Sequence, residues 1–401
     1  MSQPRIAILN AVADLGGAEL SLLECLGRLR DRFEFHLLLP VNGPLKERAE
    51  QVGAIVDIIP WPDLLGSTGE TCKRPNLWDV VRCAVSVRRL ARQVSDWARD
   101  SRVSALITNS IKCHLIGAMR PSPSEPLIWY LRDGLENRFI SRRLLAALAG
   151  RPTVAICISN YIAVQTQRYV SANLPLHVIY NIIDLENFRP GLPLPTDLRK
   201  GFDEIWFGVV GAVTPLKGQD LFLRAAAAVA RELPGARFLI VGTNGYLTQR
   251  TSAFEQQLAV QARQLGLEDK VRFLGWRADV PQVIANLDVL VQSNRGPEGL
   301  GRSVLEAMAC AVPVVAVDRW GPAELLDVGR NGLAFPRQNV EAMAARMLQL
   351  GTNREQRQFL GANGRDWICA NLVPEILASK VRSVIVGAIT TQKNVHCTAA
   401  V

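Results

Sequence analysis

The sequence predicts an α/β fold built from two doubly wound parallel-sheet lobes, and three observations support this. Short β-branched runs alternate with longer amphipathic segments, which is the pattern of βα units in a parallel sheet. A proline-rich break separates two stretches of this pattern. The chain also has 401 residues, which is more than a single hydrophobic core usually contains.

The first Rossmann-like lobe is predicted at residues 1–190. Helical periodicity covers 18–30, 79–100 and 159–170, and the Pro-, Gly- and Ser-rich residues 60–75 indicate an excursion from the sheet. The strand candidates are 5–9, 34–39, 55–58, 105–108, 127–131 and 153–157.

A linker is predicted at residues 191–203, because the three prolines at 190, 193 and 195 oppose regular structure. The second Rossmann-like lobe follows at 204–370. Residues 371–390 are predicted as a helix that returns to the first lobe, and 391–401 as a flexible tail. Because ligands of such sheets bind beyond the carboxyl ends of the strands, we expect the lobes to face a cleft. The strand candidates of the second lobe are 205–211, 237–241, 271–274, 288–291 and 313–316.

Composition argues against several classes of protein. With 48% hydrophobic and 21% charged residues, the chain is typical of a globular protein. Its first residues lack the pattern of a secretory signal peptide, and the longest uncharged apolar stretch, 307–317, is too short to span a bilayer. These features predict a cytoplasmic protein.

The eight cysteines are scattered without a CxxC pair, and the four histidines lack the spacing of metal ligands. We therefore expect reduced cysteines, no metal site and no cofactor. The net charge of +9 is divided almost evenly, since residues 1–190 carry 23 basic and 18 acidic side chains and the remainder carries 23 and 19. No lobe is an obvious polyanion-binding lobe, so nucleic acid is not an expected partner.

Two stretches of the first lobe have local basic character. No acidic residue occurs between Glu136 and Asp184, whereas five arginines do; this predicts a patch facing a membrane or phosphate, with a solvated helix face as the alternative. Segment 78–102 is a basic amphipathic helix that would lie on an anionic membrane, pack its apolar side on the sheet, or do both at different ends. Peripheral contact with the cytoplasmic membrane face is therefore one prediction. The five arginines are Arg138, Arg142, Arg143, Arg151 and Arg168.

The strongest chemical motif is the sequence PEGLGRSVLEAMA at residues 297–309. It follows a predicted strand and enters a predicted helix that begins near Gly301. Glycines let backbone amides approach a ligand closely, and a helix N-terminus attracts anions, so this segment could bind a diphosphate. Glu298 and Glu306 could both accept hydrogen bonds from hydroxyls of one ligand; a capped helix with two surface glutamates is the alternative.

Glu298 and Glu306, separated by seven residues, resemble the Glu-x7-Glu signature of family 4 retaining glycosyltransferases with the GT-B fold. The resemblance extends along the chain and is specific in combination. Its further motifs are Gly16-Gly17-Ala18-Glu19, Tyr180 to Asp184 with Phe188, the turn GAVTPLKG at 211–218, Phe273-Leu274-Gly275-Trp276, Gly321 to Glu324 and Asn331 to Leu333.

The resemblance implies a retaining, metal-independent transfer of a sugar from a nucleoside-diphosphate sugar to a saccharide or lipid-linked acceptor. It implies that Glu306 holds the ribose, Glu298 the donor sugar, and Lys217 the diphosphate. A fixed ammonium would stabilise the charge that develops on the leaving diphosphate. The remaining donor-site candidates are Gly16, Gly17, Gly211, Thr214, Gly275, Trp276, Gly299, Leu300, Gly301 and Arg302.

Two positions depart from the family pattern. Ala212 stands where an arginine usually shares the diphosphate with the lysine, and Arg302 or Arg132 is the candidate to replace it. The first lobe also lacks the histidine that touches the donor sugar in many relatives, which leaves Arg132 and Asp133 as its catalytic candidates, with a surface ion pair as the alternative. His114 is a weaker candidate, and a buried structural histidine is the interpretation we favour.

The sequence leaves a second function open, that of a non-catalytic subunit that binds nucleotide sugars but has lost turnover with the missing arginine. A nicotinamide-dependent oxidoreductase is disfavoured, because neither candidate first strand is followed by the G-x-G-x-x-G spacing.

Overall fold

The computed structural model describes residues 3–62, 77–121, 123–243 and 253–398. The chain divides into two compact units, the first comprising Met1–Ile182 with Glu375–Val401 and the second Ile183–Pro374. The stretch 191–203, predicted as a linker, thus lies within the second unit. Most of the predicted excursion at 60–75 lies outside the described residues.

The first unit contains a parallel sheet of seven strands with helices between them. The helices are α1 (Gly17–Leu29), α2 (Pro44–Gln51), α3 (Leu77–Asp100), α4 (Ile111–Ala118), α5 (Phe139–Ala147) and α6 (Asn160–Tyr169). The strands are β1 (Arg5–Leu9), β2 (Glu34–Leu39), β3 (Ile55–Ile58), β4 (Ala105–Thr108), β5 (Leu127–Leu131), β6 (Val154–Cys157) and β7 (Leu176–Val178).

The strand order of the first sheet is β3-β2-β1-β4-β5-β6-β7. Strands β4, β5 and β6 are buried throughout, as expected for central strands covered by helices on both faces. Because the chain winds outward in both directions from the β1–β4 pair, the topological switch point lies between these two strands.

Helix α3 combines two environments along its length. Leu90, Ala91, Val94 and Ala98 are buried, so the carboxyl-terminal half packs against the unit as the sheet-packing alternative predicted. Trp78 near its start is 76% exposed. The apolar side of this helix is therefore used largely for the core.

The second unit contains a six-stranded parallel sheet. Its helices are α7 (Gln219–Glu232), α8 (Ala253–Gln264), α9 (Val280–Ala285), α10 (Arg302–Ala309), α11 (Trp320–Leu325), α12 (Val340–Thr352) and α13 (Arg354–Asn371). The strands are β8 (Ile205–Val210), β9 (Ala236–Val241), β10 (Val271–Gly275), β11 (Val289–Gln292), β12 (Val314–Val317) and β13 (Leu333–Phe335).

The strand order of the second sheet is β10-β9-β8-β11-β12-β13, so its switch point lies between β8 and β11. Aromatic packing anchors its core: the rings of Phe207 and Phe238 stack at 5.7 Å, and Phe222 meets Phe238 edge-on at 5.9 Å. These three rings join the sheet to α7.

The last helix, α14 (Pro374–Thr398), groups with the first unit from Glu375 onward. It starts three residues later than predicted and continues through 391–398, so the prediction of a flexible tail is wrong for those residues. Among the described residues, no helix is long and apolar enough to cross a membrane.

Candidate functional site

A tight turn at residues 211–218 follows β8, at the switch point of the second sheet. Gly218 has φ +71°, and a Cβ there would lie 2.2 Å from the Ser293 carbonyl oxygen, so only glycine fits. Ser293 Oγ donates to the Lys217 carbonyl at 2.9 Å, and Gln219 Nε2 donates to the Ala212 carbonyl at 2.9 Å. These contacts hold the turn against the loop that follows β11.

Lys217 and Glu298 form an ion pair at this point, which joins the predicted phosphate turn to the Glu-x7-Glu loop. Asn294 Nδ2 donates to the same Glu298 oxygen at 2.7 Å. Burial tends to raise the pKa of Glu298, but Lys217 and Asn294 outweigh it and hold the pKa below its ordinary value. The Lys217 side chain remains 34% exposed, so the ion pair does not bury it fully.

The loop at residues 298–301 is fixed from the opposite side by α11. Gly321 N donates to the Glu298 carbonyl at 3.0 Å, and a Cβ at Gly321 would lie 2.1 Å from the Gly299 oxygen. Gly301 caps α10 with φ +91°. The predicted start of this helix is correct, and Leu300 is buried beneath the loop.

Glu306 lies in α10 and is only 6% exposed. Burial raises the pKa of its carboxyl, and Arg302, whose Nε donates to Glu306 Oε1 at 2.7 Å, acts in the opposite direction. Arg302, the candidate to replace the missing arginine, is thus engaged by Glu306. The predicted ribose ligand and the predicted substitute cation are partners of each other.

Three glycines line the carboxyl edge of adjacent strands in the second sheet. Gly211, Gly242 and Gly275 end or follow β8, β9 and β10, and all have positive φ. Gly242 N donates to the Gly275 carbonyl at 2.7 Å, and a Cβ at Gly242 would lie 2.0 Å from the Gly211 oxygen. Trp276 follows this edge with 52% exposure, whereas Thr214 starts the short 3₁₀ turn Pro215–Lys217.

In the first unit, polar side chains follow the strands on both sides of the switch point. Asn10, Asn109 and Arg132 are the first residues after β1, β4 and β5, and Asn181 lies just beyond β7. Arg132 donates to the Asn109 and Asn181 side-chain oxygens at 2.6 and 2.9 Å, and Asn109 donates to Asn10 at 2.9 Å. All four side chains are buried.

The Arg132 guanidinium also stacks 4.1 Å from the centre of the Tyr130 ring. Its Nη2 atom is buried and has no hydrogen-bond partner within the described residues. A buried, unpaired donor on a cation costs free energy, so this atom favours an anionic or carbonyl ligand.

Gly16 and Gly17 position Glu19 beside this network. Gly16 N donates to Glu19 Oε2 at 3.2 Å, and Asn10 Nδ2 lies 3.4 Å from Glu19 Oε1. Burial raises the pKa of Glu19, although the nearby Arg132 charge opposes the shift. The glycine loop thus holds a carboxylate within the first unit.

Asp133 does not join the network; it lies at the surface, 3.4 Å from Arg138. His114 is 1% exposed and its Nδ1 lies 2.7 Å from Thr108 Oγ1. Burial, assisted by Arg132, lowers the His114 pKa to about 3, so the ring is neutral. This agrees with the structural interpretation of His114.

Sequence reasoning missed five residues of these two sites. The signal for Asn10 and Asn109 was present, since each amide directly follows a short, mostly apolar strand. Gly242 also follows a strand directly. Asn181 lies in the motif Tyr180 to Asp184 but was given no role, and Asn294 gave no signal, because the roles of both depend on contacts across the fold. Within the described ranges, no three His, Cys, Asp or Glu side chains form a group that could hold a metal ion.

Comparisons with known proteins relate this chain to glycosyltransferases. Residues 196–367 match the family model described as Glycosyl transferases group 1. The GDP-mannose-dependent alpha-(1-6)-phosphatidylinositol monomannoside mannosyltransferase of Mycobacterium tuberculosis is 29% identical over 262 residues, 62% of this chain and 65% of that protein. The D-inositol 3-phosphate glycosyltransferase of Saccharomonospora viridis is 32% identical over 195 residues, 46% of this chain and 44% of that protein. The matches thus span less than two thirds of these relatives.

Among solved structures, Anabaena Alr3699/HepE in complex with UDP-glucose has a TM-score of 0.80 and 24% identity, covering 96% of this chain and 99% of that one. The sucrose-phosphate synthase of Thermosynechococcus elongatus has a TM-score of 0.75 and 16% identity, covering 97% and 100%. These likenesses show the fold that both units share with the neighbours.

Proposed function

We propose that this chain, whose residues 196–367 form a group 1 glycosyltransferase domain and whose fold is the GT-B fold of family 4-like enzymes, transfers a sugar from a nucleoside-diphosphate sugar to an acceptor hydroxyl. Retention of configuration and independence of metal are part of the proposal, and both rest on the family resemblance.

The observation that supports it best is the Lys217–Glu298 ion pair at the β8–β11 switch point. Ligands of doubly wound sheets bind at this location. The partly exposed Lys217 side chain, the glycine loop at 298–301 and the start of α10 would together receive a diphosphate. When the diphosphate leaves, negative charge grows on its oxygens, and Lys217 would stabilise it.

The other roles follow from burial and position. Glu306 would accept hydrogen bonds from ribose hydroxyls, and Glu298, already ionised, would accept them from the sugar. Gly275 and the exposed Trp276 would lie beside the base. In the first unit, the unpaired Arg132 Nη2 would bind an anionic or carbonyl oxygen of a ligand, and Glu19, which accepts from Gly16 N, would lie beside Asn10 of the same network.

The donor's base is left to experiment, because the relatives differ. The mycobacterial relative is GDP-mannose-dependent, and the Anabaena structure contains UDP-glucose. The named relatives also suggest an acceptor with several hydroxyls, such as an inositol-containing or lipid-linked saccharide.

One observation favours the alternative of a binding subunit without turnover. Lys217 is the only cation in the turn at 211–218, since Ala212 occupies the other expected position. A site with one cation instead of two would bind the nucleotide while stabilising the departing diphosphate less well.

Calorimetry with UDP, GDP, ADP, UDP-glucose and GDP-mannose tests the proposal, with Glu306→Ala as the site variant. We expect one diphosphate to bind and the variant to lose that binding. Product formation from the matching sugar donor and a hydroxyl acceptor then separates an enzyme from a binding subunit. If no nucleotide bound, both the proposed transferase and the alternative binding subunit would be overturned.

A further inference from the structure

Each glutamate of the Glu-x7-Glu segment is paired with one cation of the second unit. Glu298 pairs with Lys217, whose side chain is 34% exposed, and Glu306 pairs with Arg302, whose side chain is only 11% exposed. The sequence suggested Arg302 as the cation that replaces the arginine missing at Ala212. The difference in burial indicates instead that the two cations have different roles.

The Arg302–Glu306 pair joins the first and second turns of α10. Arg302 Nε donates to Glu306 Oε1 at 2.7 Å. The other carboxylate oxygen, Oε2, accepts no hydrogen bond from the described residues and is not fully enclosed by them. The arginine therefore occupies one oxygen of the carboxylate and leaves the other for a ligand.

Helix stability does not account for an arginine at this position. Arg302 is the first residue of α10, directly after the N-cap Gly301. The first turn of a helix disfavours cations, because its backbone N–H groups carry partial positive charge, and an arginine four residues before a glutamate is the less favourable order. A buried ion pair is also weak evidence for stability, because both charges lose hydration. The pair therefore indicates a requirement of the site.

The Glu306 carboxyl needs a cation beside it in order to accept hydrogen bonds on both oxygens. Only the ionised form is an acceptor throughout, and burial opposes ionisation here. Arg302 acts in the opposite direction. Arg365 of α13 also reaches α10, but it donates to the Ala309 carbonyl. Among the described residues, Arg302 is thus the cation that supports this carboxylate.

We propose, on the basis of the proposed donor site, that Arg302 is a positioning residue for ribose recognition and does not replace the missing cation on the diphosphate. Its Nε fixes Oε1 in one orientation, so that the Glu306 carboxylate meets the 2′- and 3′-hydroxyls of the nucleotide. Charge-assisted hydrogen bonds from these hydroxyls then give a preference for ribose over its deoxy forms. The diphosphate is left with Lys217 and the backbone amides at the start of α10.

Calorimetry on the full chain with UDP, GDP and ADP, each compared with its 2′,3′-dideoxy form, tests the proposal. The native chain should prefer the ribose form of the nucleotide that it binds by about tenfold or more, because the dideoxy form leaves the carboxylate without two donors. Arg302→Gln should reduce this preference to about threefold or less, as should Glu306→Gln, and the double variant should lose no more than either. Affinity for the dideoxy form should stay within about threefold in all of them.

Further variants control for charge and for folding. Arg302→Lys keeps a cation within reach of Glu306 and should retain most of the preference. Arg237→Gln removes an arginine that donates in the same way, from Nε to Glu204 Oε1 at 2.9 Å, but at the amino edge of the same sheet, and it should leave the preference unchanged. Binding of the dideoxy nucleotide shows that the site of each variant is folded. Where Arg302→Gln does not fold, Arg302→Leu takes its place with the same loss expected.

Two outcomes would overturn the role of Arg302. One is an undiminished ribose preference in the folded Arg302 variants. The other is an equal loss of affinity for the ribose and dideoxy forms, which would assign Arg302 to the diphosphate. Failure of the proposed function is distinguishable from both, because the native chain itself would then bind no nucleotide, and the role of Arg302 would be overturned with it.

Discussion

Both units have a topological switch point at the carboxyl edge of their parallel sheet, but different residues occupy the two edges. At the β1–β4 switch point, buried side chains of Asn10, Asn109 and Arg132 occupy the edge. At the β8–β11 switch point, glycines and a half-exposed Lys217 leave it open. Topology supplies the location in both units, and residue choice decides whether the location holds a fixed polar network or receives a ligand.

The electrostatics of the two edges also differ. Arg132 is bound by neutral amide oxygens, whereas Lys217 is bound directly by a carboxylate. As a result, burial dominates at Glu19 and raises its pKa, whereas the lysine and Asn294 prevail at Glu298 and lower its pKa. At Glu298 the direct contacts outweigh burial, whereas at Glu306 burial prevails despite a direct contact with Arg302.

The largest expected effect concerns the open edge. Lys217→Ala should slow transfer by about 10²–10³-fold, equivalent to about 3–4 kcal/mol, because the departing diphosphate loses its fixed cation. Steady-state rates with the donor identified by calorimetry measure this. Lys200→Ala is the matched control, since Lys200 is also part-buried and ion-paired, with Asp288 at 2.6 Å. If both variants lost the same transfer rate, the loss would reflect impaired folding and not the removal of a cation from the diphosphate.

The glycine edge predicts a large difference in stability between two similar substitutions. Gly242→Ala should lower the free energy of unfolding by about 3 kcal/mol, because its Cβ would meet the Gly211 oxygen in a positive-φ backbone. Gly266→Ala, also at positive φ but with no atom within 4 Å of its Cβ, should cost about 1 kcal/mol. Urea denaturation measures both, and equal losses of stability would show that the contact between the added Cβ and the Gly211 oxygen carries no cost.

The closed edge predicts a smaller loss. Arg132→Met should lower the free energy of unfolding by about 2 kcal/mol, because the buried Asn109 and Asn181 oxygens each lose a donor. Arg168→Met, an exposed arginine, should change it by less than about 0.5 kcal/mol. If the two variants unfolded at the same denaturant concentration, the network would carry no stability.

The smallest effects are pH-dependent and opposite in sign. The raised pKa of Glu19 makes its ionised form unfavourable in the folded state, so this penalty grows as pH rises through the folded pKa. Glu19→Gln should therefore stabilise relative to the native chain at pH 7, by about 1 kcal/mol or less, and the gain should vanish near pH 4.

Glu298 contributes stability above its unfolded pKa, and that contribution disappears as pH falls through the lowered folded pKa. Glu298→Gln should therefore destabilise the chain at pH 7 by about 1 kcal/mol or less, and the loss should shrink below about pH 4. Thermal unfolding between about pH 3 and pH 7, referenced to the native chain, measures both variants. Parallel pH slopes for the two would contradict the contrast between the edges.

Much of this architecture was predictable from local patterns. All eleven predicted strands occur within one residue of their predicted bounds, and the family resemblance and GT-B fold are confirmed. Strands β7 and β13 were missed because each has only three residues, too few for a periodic signal. The roles of the predicted site residues remain predictions, although Lys217 and Glu298 do lie together.

The sequence by itself determined the alternation of strands and helices, the glycine turns and the positions of the chemical motifs, because backbone preference and hydrophobic period act over a few residues. Only the tertiary structure decided which motifs meet: Lys217 with Glu298, Arg302 with Glu306, and Arg132 with two asparagines. These pairs form because the strand order brings residues that are distant in sequence into contact. Burial then shifts the pKa of a charged side chain, unless a partner of opposite charge compensates for the lost hydration.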